Sequence, residues 1–483
     1  MRRNYIFGWL IFFIFYMHFE GFLKLYFGYH PVIHGLKYIF ASVFIFLIIR
    51  YPAKFRTPLT VPIIFFAAFV LVQLFNPIMW QGKGYLLSIL GAYYYLGYVP
   101  LFFIGYSLLD KKQVYALMYF IISLATLSSL FAYFQYSLGV PEFMEFMPYE
   151  PTAWVKQHIY GPNAFSLIPP DYWYLTGLIF CLYFYFKEKK RFLFFVLGSN
   201  LIVSIIISNL RAGIVVTLFT LLVFFLMRLQ QVFRIKHIKK IITMFVVALF
   251  VFLFFYSSVW DKYTINRYKA ISNPVEGYIS TRGFTWTKCL PQIITTYPFG
   301  SGLRHAEIIP AEKFGVEPLE VYTGDNYFNI ILAELGVPGF IAFLFLLYFV
   351  LATIFKRYLD SPNKEERLLI AALGSLILGF LAISITGNPT GWMLWLFLGI
   401  LVRSEDFKGP DSDEPNEAIN ESGFFSFMVK LFRGSIFSRI FKKENFQLFY
   451  DFISKSKFAA FMELSLKQIK SSKFYKISKK ILD

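Results

Sequence analysis

The sequence has few of the residues that point to a disulfide-stabilised or metal-binding protein. It contains only two cysteines among its 483 residues, Cys181 and Cys289, which excludes a disulfide framework and a cysteine-rich metal site. Charged residues make up only 16% of the chain, and it has no P-loop motif that would indicate ATP binding. The six histidines show no metal-ligand spacing. We therefore expect His158 and His305 to be ordinary surface residues.

Apolar and aromatic residues take the place of the missing charges. The chain is 57% hydrophobic and 21% aromatic, more than a soluble domain of this size can keep away from water, so lipid must be the solvent for much of it. The net charge of +18 would suggest nucleic acid in a soluble protein. Here the basic residues cluster at the ends of apolar segments and near the C-terminus. We therefore expect anionic lipid, and no nucleic acid, as the partner.

Twelve apolar segments predict an all-α polytopic membrane protein with about twelve transmembrane helices. Clusters of Lys and Arg fall on alternate loops, which predicts a multi-pass protein of the cytoplasmic (inner) membrane with both termini in the cytoplasm. A large extracytoplasmic loop, residues 257–327, then separates helices 9 and 10. The predicted segments are 5–23, 36–50, 59–76, 86–108, 113–135, 171–186, 192–209, 212–227, 241–257, 328–355, 368–386 and 390–402.

The composition divides the chain into a transmembrane domain, residues 1–403, and a cytoplasmic tail, residues 404–483. The tail begins with an acidic, proline-containing linker and becomes basic, with phenylalanines set among lysines. This pattern predicts an amphipathic segment that lies on anionic lipid. Docking of a partner protein is the alternative.

Arginines on the outer side are the first candidates for function. Arg282, Arg267 and Arg304 lie in the large loop, and Arg211 begins a span at the predicted outer face. A guanidinium suits a phosphate because its planar fork binds two oxygens at once. The alternative is that these side chains snorkel or pair with loop carboxylates. Loop charge is mainly basic up to Arg304 and mainly acidic from Glu307. The two halves either meet different substrates or pair with each other.

Three further features surround the start of the tenth span. Asp325 directly precedes it, and this carboxylate is either an N-cap or a base that accepts a proton from an attacking hydroxyl. Glu334, beside two glycines, is expected to fix helix packing. The turn Pro298–Gly302 is glycine-rich, and we expect flexibility there, with backbone amides that face an anion.

The order of these motifs resembles that of the O-antigen ligase and Wzy-type polysaccharide polymerase superfamily. The resemblance covers roughly residues 1–403, with the specific motifs confined to about 205–340. They are an Arg that opens span eight (Arg211), Arg-x-x-x-Trp (Arg282, Trp286), Pro-x-Gly-x-Gly (Pro298–Gly302), the polar pair Asp325-Asn326, and Glu-Leu-Gly-x-x-Gly (334–339).

The resemblance implies a membrane glycosyltransferase whose donor is an undecaprenyl-diphosphate-linked oligosaccharide, with no cofactor and no metal. Carried over, Arg211 and Arg282 bind the diphosphate leaving group, and Asp325 is the catalytic base. We assign Arg267, Arg304, Trp286 and Asn326 to substrate binding. A flippase and a chain-length regulator are further candidate partners.

The residue before Asn326 separates the two activities of the superfamily. Ligases usually have His there, whereas this chain has Asp325. We therefore predict a polymerase of lipid-linked repeat units for O-antigen, capsule or exopolysaccharide. A ligase that transfers polymer to lipid A core is the alternative. A transporter of lipid-linked oligosaccharide is less favoured, because we identify neither inverted repeats nor charged residues in mid-span.

Overall fold

The computed structural model is helical throughout its regular structure, which agrees with the predicted all-α class. It describes residues 2–27, 31–50, 57–80, 82–138, 170–188, 191–207, 211–229, 290–306, 314–317, 319, 327–361, 363–383 and 391–403. Contacts divide the chain into two units, Met1–Glu414 and Pro415–Asp483. All described residues belong to the first unit, and the second lies outside them. The predicted lipid-bound tail therefore stays a prediction.

Helices in the first half of the chain coincide with the predicted apolar segments. They are α1 (Arg2–Phe27), α2 (Pro31–Arg50), α3 (Thr60–Val72), α4 (Gly84–Leu96), α5 (Val99–Ser107) and α6 (Lys111–Leu138). Two short 3₁₀ helices, Gln73–Phe75 and Pro77–Trp80, connect α3 to α4. The predicted span 86–108 is thus two helices, since α4 ends at Leu96 and α5 begins at Val99.

The second half continues the same pattern. Its helices are α7 (Pro170–Lys187), α8 (Arg191–Ile207), α9 (Arg211–Leu229), α10 (Leu290–Thr296), α11 (Tyr327–Asp360), α12 (Lys364–Ile383) and α13 (Gly391–Arg403). Every predicted segment overlaps a helix except 241–257, which lies outside the described residues. Arg211 begins α9, as expected for a residue that opens a helix.

Length and apolar composition bear on which helices cross the membrane. Among the described residues, three stretches are long and apolar enough: Gly84–Ser107, Lys111–Tyr133 and Tyr327–Asp360. Four more apolar helices are shorter: Thr60–Phe75, Arg191–Ile206, Gly213–Arg228 and Gly391–Arg403. These helices indicate a multi-pass membrane protein. The count of twelve spans, the membrane orientation and the side of the large loop stay predictions.

The helices pack closely where small residues meet. α5 lies along α13; α6, α7 and α8 all contact one another; and α12 contacts α7, α9 and α13. A side chain at Gly399 would place its Cβ 2.1 Å from the Phe102 carbonyl oxygen, and one at Gly105 would be 2.6 Å from the Leu396 carbonyl oxygen. Glycine at both positions therefore lets the backbones of α5 and α13 approach each other, as is common between membrane helices.

α11 bends back on itself at Gly336. A straight helix would separate Tyr327 from Phe343 by about 24 Å, at 1.5 Å per residue. Their ring centroids are instead 6.1 Å apart, and that of Phe328 lies 5.7 Å from that of Phe343. Gly336 has φ 69° and ψ −176°, a non-helical conformation inside the helix. The short arm before Gly336 therefore folds against the long arm, and α11 is not the straight span predicted from its sequence.

Candidate active site

The turn Pro298–Gly302 docks onto the bend in α11. Three backbone hydrogen bonds join them: the Val337 N–H to the Pro298 carbonyl (2.8 Å), the Ser301 N–H to the Ala333 carbonyl (2.8 Å), and the Gly302 N–H to the Glu334 carbonyl (3.3 Å). The bend interrupts the helical ladder, and the turn supplies partners for groups that the helix leaves unpaired. The turn therefore holds α11 in its folded-back form.

Glycine is required on both sides of this contact. Gly300 has φ 92°, and a Cβ there would lie 2.4 Å from the Glu334 carbonyl oxygen. At Gly336, with φ 69°, a Cβ would lie 2.4 Å from the carbonyl carbon of Phe299. Side chains tolerate neither the backbone conformation nor the overlap. The two backbones touch because neither residue has a side chain.

The expectation that the amides of this turn face an anion is wrong. The N–H groups of Ser301 and Gly302 donate to carbonyls of α11, and the Gly300 N–H donates to the Tyr297 carbonyl at 3.0 Å. An amide that is committed to a carbonyl offers nothing to a phosphate. The glycine-rich motif is therefore a packing device within the site.

The segment between α3 and α4 clamps the turn from another side. The Gln73 side-chain amide donates to the Phe299 carbonyl at 2.6 Å, and the Asn76 amide donates to the Gly300 carbonyl at 3.0 Å. Asn76 also donates to the Gln73 side-chain oxygen at 2.7 Å. Neither Gln73 nor Asn76 was a candidate site residue from the sequence. The available signal was a pair of amide side chains in an otherwise apolar run.

His305 is buried, which corrects the expectation of a surface residue. Its side chain is 4% exposed. Its Nδ1 lies 3.1 Å from the Ser301 carbonyl oxygen, and its Nε2 lies 2.7 Å from the Glu317 carbonyl oxygen. A neutral imidazole donates from only one of its nitrogens, whereas an imidazolium donates from both. The ring ties the turn to the segment 314–317.

Glu334 joins the bend to α4. Its carboxylate is 1% exposed and accepts a hydrogen bond from the Tyr95 hydroxyl at 2.8 Å. A buried carboxylate is costly without such donors. This bond crosses between two helices, and it agrees with the expected packing role of Glu334.

Arg304 is the predicted binding residue whose side chain the structure describes. Its φ of 60° is left-handed, which is uncommon for a residue other than glycine. The guanidinium carbon lies 5.4 Å from the ring centroid of Tyr94 in α4, within the range of a cation–π interaction. The turn thus directs Arg304 towards the tyrosines of α4.

A groove runs from these tyrosines along α11 and α13 and encloses about 90 Å³. Aromatic hydroxyl-bearing residues line one end, namely Tyr94, Tyr95, Tyr98 and Tyr327. Apolar side chains line the remainder, among them Phe343, Leu346, Val350, Leu394 and Leu398. The ring centroids of Tyr95 and Tyr327 are 6.2 Å apart. The groove therefore has a polar end beside Arg304 and Glu334, and an apolar length.

Most of the predicted catalytic residues lie outside the described residues. The backbone of Arg211 is described but its side chain is not. Tyr327, the second residue after Asp325, lines the groove. Within the described ranges, no three His, Cys, Asp or Glu side chains are grouped to hold a metal ion. The predicted catalytic and substrate-binding residues that lie outside the described ranges are Asp325, Arg282, Arg267, Trp286 and Asn326.

One segment of the chain matches a known protein family. It contains the turn, the bend and the first part of the long arm of α11. Residues 193–344 match the O-antigen ligase family. The match agrees with the resemblance read from the motifs, which lie at about 205–340. No curated protein matches the chain. Members of the O-antigen ligase family are membrane glycosyltransferase-like enzymes.

Proposed function

We propose that this protein polymerises lipid-linked polysaccharide repeat units. The donor is an oligosaccharide on undecaprenyl diphosphate, and the acceptor is a sugar hydroxyl on a second lipid-linked unit. The observation that carries the proposal is the fold-back of α11. It brings Tyr327, which follows Asp325-Asn326, to an apolar groove with a polar end. With about 90 Å³, the groove suits only the part of a polyprenyl chain next to its charged head, which lies at the polar end.

The reaction is a nucleophilic substitution at the anomeric carbon of the donor. Asp325 accepts the proton of the acceptor hydroxyl, and the hydroxyl oxygen forms the new glycosidic bond. The bond between the anomeric carbon and the phosphate oxygen breaks, and undecaprenyl diphosphate leaves with the electron pair. Arg211 and Arg282 stabilise the negative charge of this leaving group. The loss of one such donor commonly lowers a rate by about 100- to 1000-fold.

A ligase would perform the same substitution with lipid A core as the acceptor. The family match supports a ligase and a polymerase alike. The residue before Asn326 favours the polymerase, because ligases of the superfamily usually have His at that position and this chain has Asp325. Incubation of the purified protein with lipid-linked repeat units alone separates the two. A polymerase lengthens them, whereas a ligase requires added lipid A core.

Asp325→Asn is the central test, because the cap and base hypotheses predict different results. Asn is about as good an N-cap as Asp, so the protein level and thermal stability should be retained. Loss of the ionisable carboxylate should lower the transfer rate by about 100-fold or more. Product length on gels measures the rate, and Asp325→His is the companion variant that restores a proton acceptor. Normal polymer from Asp325→Asn would assign this residue to capping alone.

A further inference from the structure

Three large aromatic side chains are exposed around the turn Pro298–Gly302. Phe299 is 77% exposed within the turn itself. Phe75 is 73% exposed at the end of the first 3₁₀ helix, and Trp80 is 66% exposed at the end of the second. Single exposed apolar residues are common on protein surfaces, whereas a connected group of them indicates a binding surface.

Hydrogen bonds hold Phe75 close to Phe299. The Gln73 side-chain amide donates to the carbonyl of Phe299 itself at 2.6 Å. Asn76, which directly follows Phe75, donates to the Gly300 carbonyl at 3.0 Å. Both bonds end on backbone carbonyls of the turn, so they do not require the aromatic ring at position 299.

Packing fixes Trp80 to the same surface. A Cβ at Gly302 would lie 2.2 Å from Cγ of Met79, so the turn rests directly on this side chain. Met79 is 0% exposed, whereas Trp80, the next residue, is exposed. The second 3₁₀ helix thus presents Met79 to the turn and Trp80 to the outside. We call Phe75, Trp80 and Phe299 the aromatic patch.

The aromatic patch continues the exposed apolar face of α3. This helix is one of the apolar helices of the protein, and its Phe66 packs on Phe343 of α11 with ring centroids 5.8 Å apart. Away from that contact, Ile64 is 40% exposed and Leu71, two helical turns later, is 47% exposed. Phe75 lies one turn beyond Leu71. In a membrane protein, such a face is covered by acyl chains.

The patch lies where this face ends. Asn76 leaves the helical conformation with ψ 122°, and the chain turns there into the second 3₁₀ helix. Aromatic residues at the end of a lipid-facing helix are typical of the boundary between acyl chains and headgroups. Trp80 suits this boundary because its ring is apolar and its indole N–H can donate to a headgroup.

A glycan is a less suitable occupant of the patch than lipid. Sugar recognition needs hydrogen-bonding groups beside the aromatic rings. The Asn76 amide already donates to the Gly300 carbonyl and to the Gln73 side-chain oxygen, and Gln73 is only 6% exposed. The boundary of a bilayer requires the rings alone.

We propose that the aromatic patch inserts into the bilayer at the boundary between acyl chains and headgroups. It thereby holds the turn Pro298–Gly302 at a fixed depth in the membrane. Because the turn is bonded to the bend of α11, the bend has the same fixed depth. This inference does not depend on the proposed polymerase activity.

Spin labels test the depth of two patch positions, with the full chain in phosphatidylcholine nanodiscs. Phe75→Cys and Phe299→Cys are labelled one at a time in a Cys289→Ser background, where Cys181 stays unlabelled because it is 1% exposed. Oxygen concentrates among acyl chains, whereas a nickel chelate stays in water. Both labels should collide more often with oxygen than with the chelate. More frequent collisions with the chelate at either position would overturn the proposal.

Thr295→Cys is the matched control for the spin labels. Thr295 is exposed on α10, four residues before Phe299, and its hydroxyl donates to carbonyls of its own helix. The substitution therefore leaves the docking of the turn intact. The ratio of oxygen to chelate collisions should be lower at Thr295 than at both patch positions. Equal ratios at the three positions would show that the patch has no special contact with lipid.

Trp80 tests the patch without a label. Subtraction of the Trp80→Phe fluorescence from that of the wild type isolates Trp80 among the eight tryptophans. Lipids brominated near the headgroup should quench this difference signal more strongly than aqueous iodide does. Stronger quenching by iodide would overturn the insertion, even if the labelled variants failed to fold. Iodide quenching that soluble N-acetylglucosamine oligosaccharides suppress would assign the patch to glycan instead.

Discussion

Gly336→Ala probes the contact on which the site depends, the bend in α11 against the turn Pro298–Gly302. The φ and ψ of Gly336, 69° and −176°, fall in a region that only glycine adopts readily, where strain is about 1–3 kcal/mol. The added methyl group would also lie 2.4 Å from the carbonyl carbon of Phe299. Backbone atoms cannot move aside as a flexible side chain would.

The chain can relieve this overlap by releasing the turn. It then loses the three backbone hydrogen bonds to α11, each worth about 1 kcal/mol net. The loss of stability should therefore be about 3 kcal/mol. For a chain of 483 residues, whose unfolding entropy is about 1 kcal/mol per kelvin, that corresponds to a fall of about 3 °C in melting temperature. Because the bend also places Tyr327 at the groove, polymer formation should fall with stability.

Gly8→Ala in α1 is the matched control. A Cβ at Gly8 would meet no atom within 4 Å, and alanine favours a helix over glycine. This variant should melt at the wild-type temperature or above and keep its activity. Melting is followed by size-exclusion chromatography of heated detergent-solubilised protein. A Gly336→Ala protein that melts like the wild type would refute the bend and its contact with the turn.

Two further predictions concern charge. Arg282→Lys should lower the rate of glycan transfer, because lysine keeps the charge but loses the bidentate fork, and Arg282→Ala should lower the rate further. Equal amounts of polymer from the wild type and both variants would contradict phosphate binding by Arg282. Glu365→Gln should lower stability by about 1 kcal/mol, because Glu365 bridges Lys111 (3.2 Å) and Lys187 (3.1 Å). Burial raises the pKa of Glu365, but hydrogen bonds from Tyr115 and the two lysines outweigh it and hold the pKa below its usual range. The stabilisation that ionised Glu365 provides is present above about pH 4.3, and it should be lost as the pH falls through the lowered pKa. The melting temperatures of the wild type and Glu365→Gln should therefore converge in acid.

The sequence alone predicted where the helices lie and which family the chain resembles. A helix in lipid must satisfy its own backbone, so an apolar run of sufficient length predicts its helix without reference to the rest of the chain. The predicted segments coincide with helices wherever the structure describes them. The motif order likewise needed no tertiary information. The match at residues 193–344 confirmed the resemblance.

Only the tertiary structure decided what surrounds the site. Gln73 meets Phe299 across 226 positions of sequence, and no local pattern reports such a pairing. The bend at Gly336 was hidden because glycine and proline in an apolar run are also compatible with a straight membrane helix. The burial of His305 was missed because composition gives the polarity of a side chain, whereas its neighbours depend on how distant segments pack.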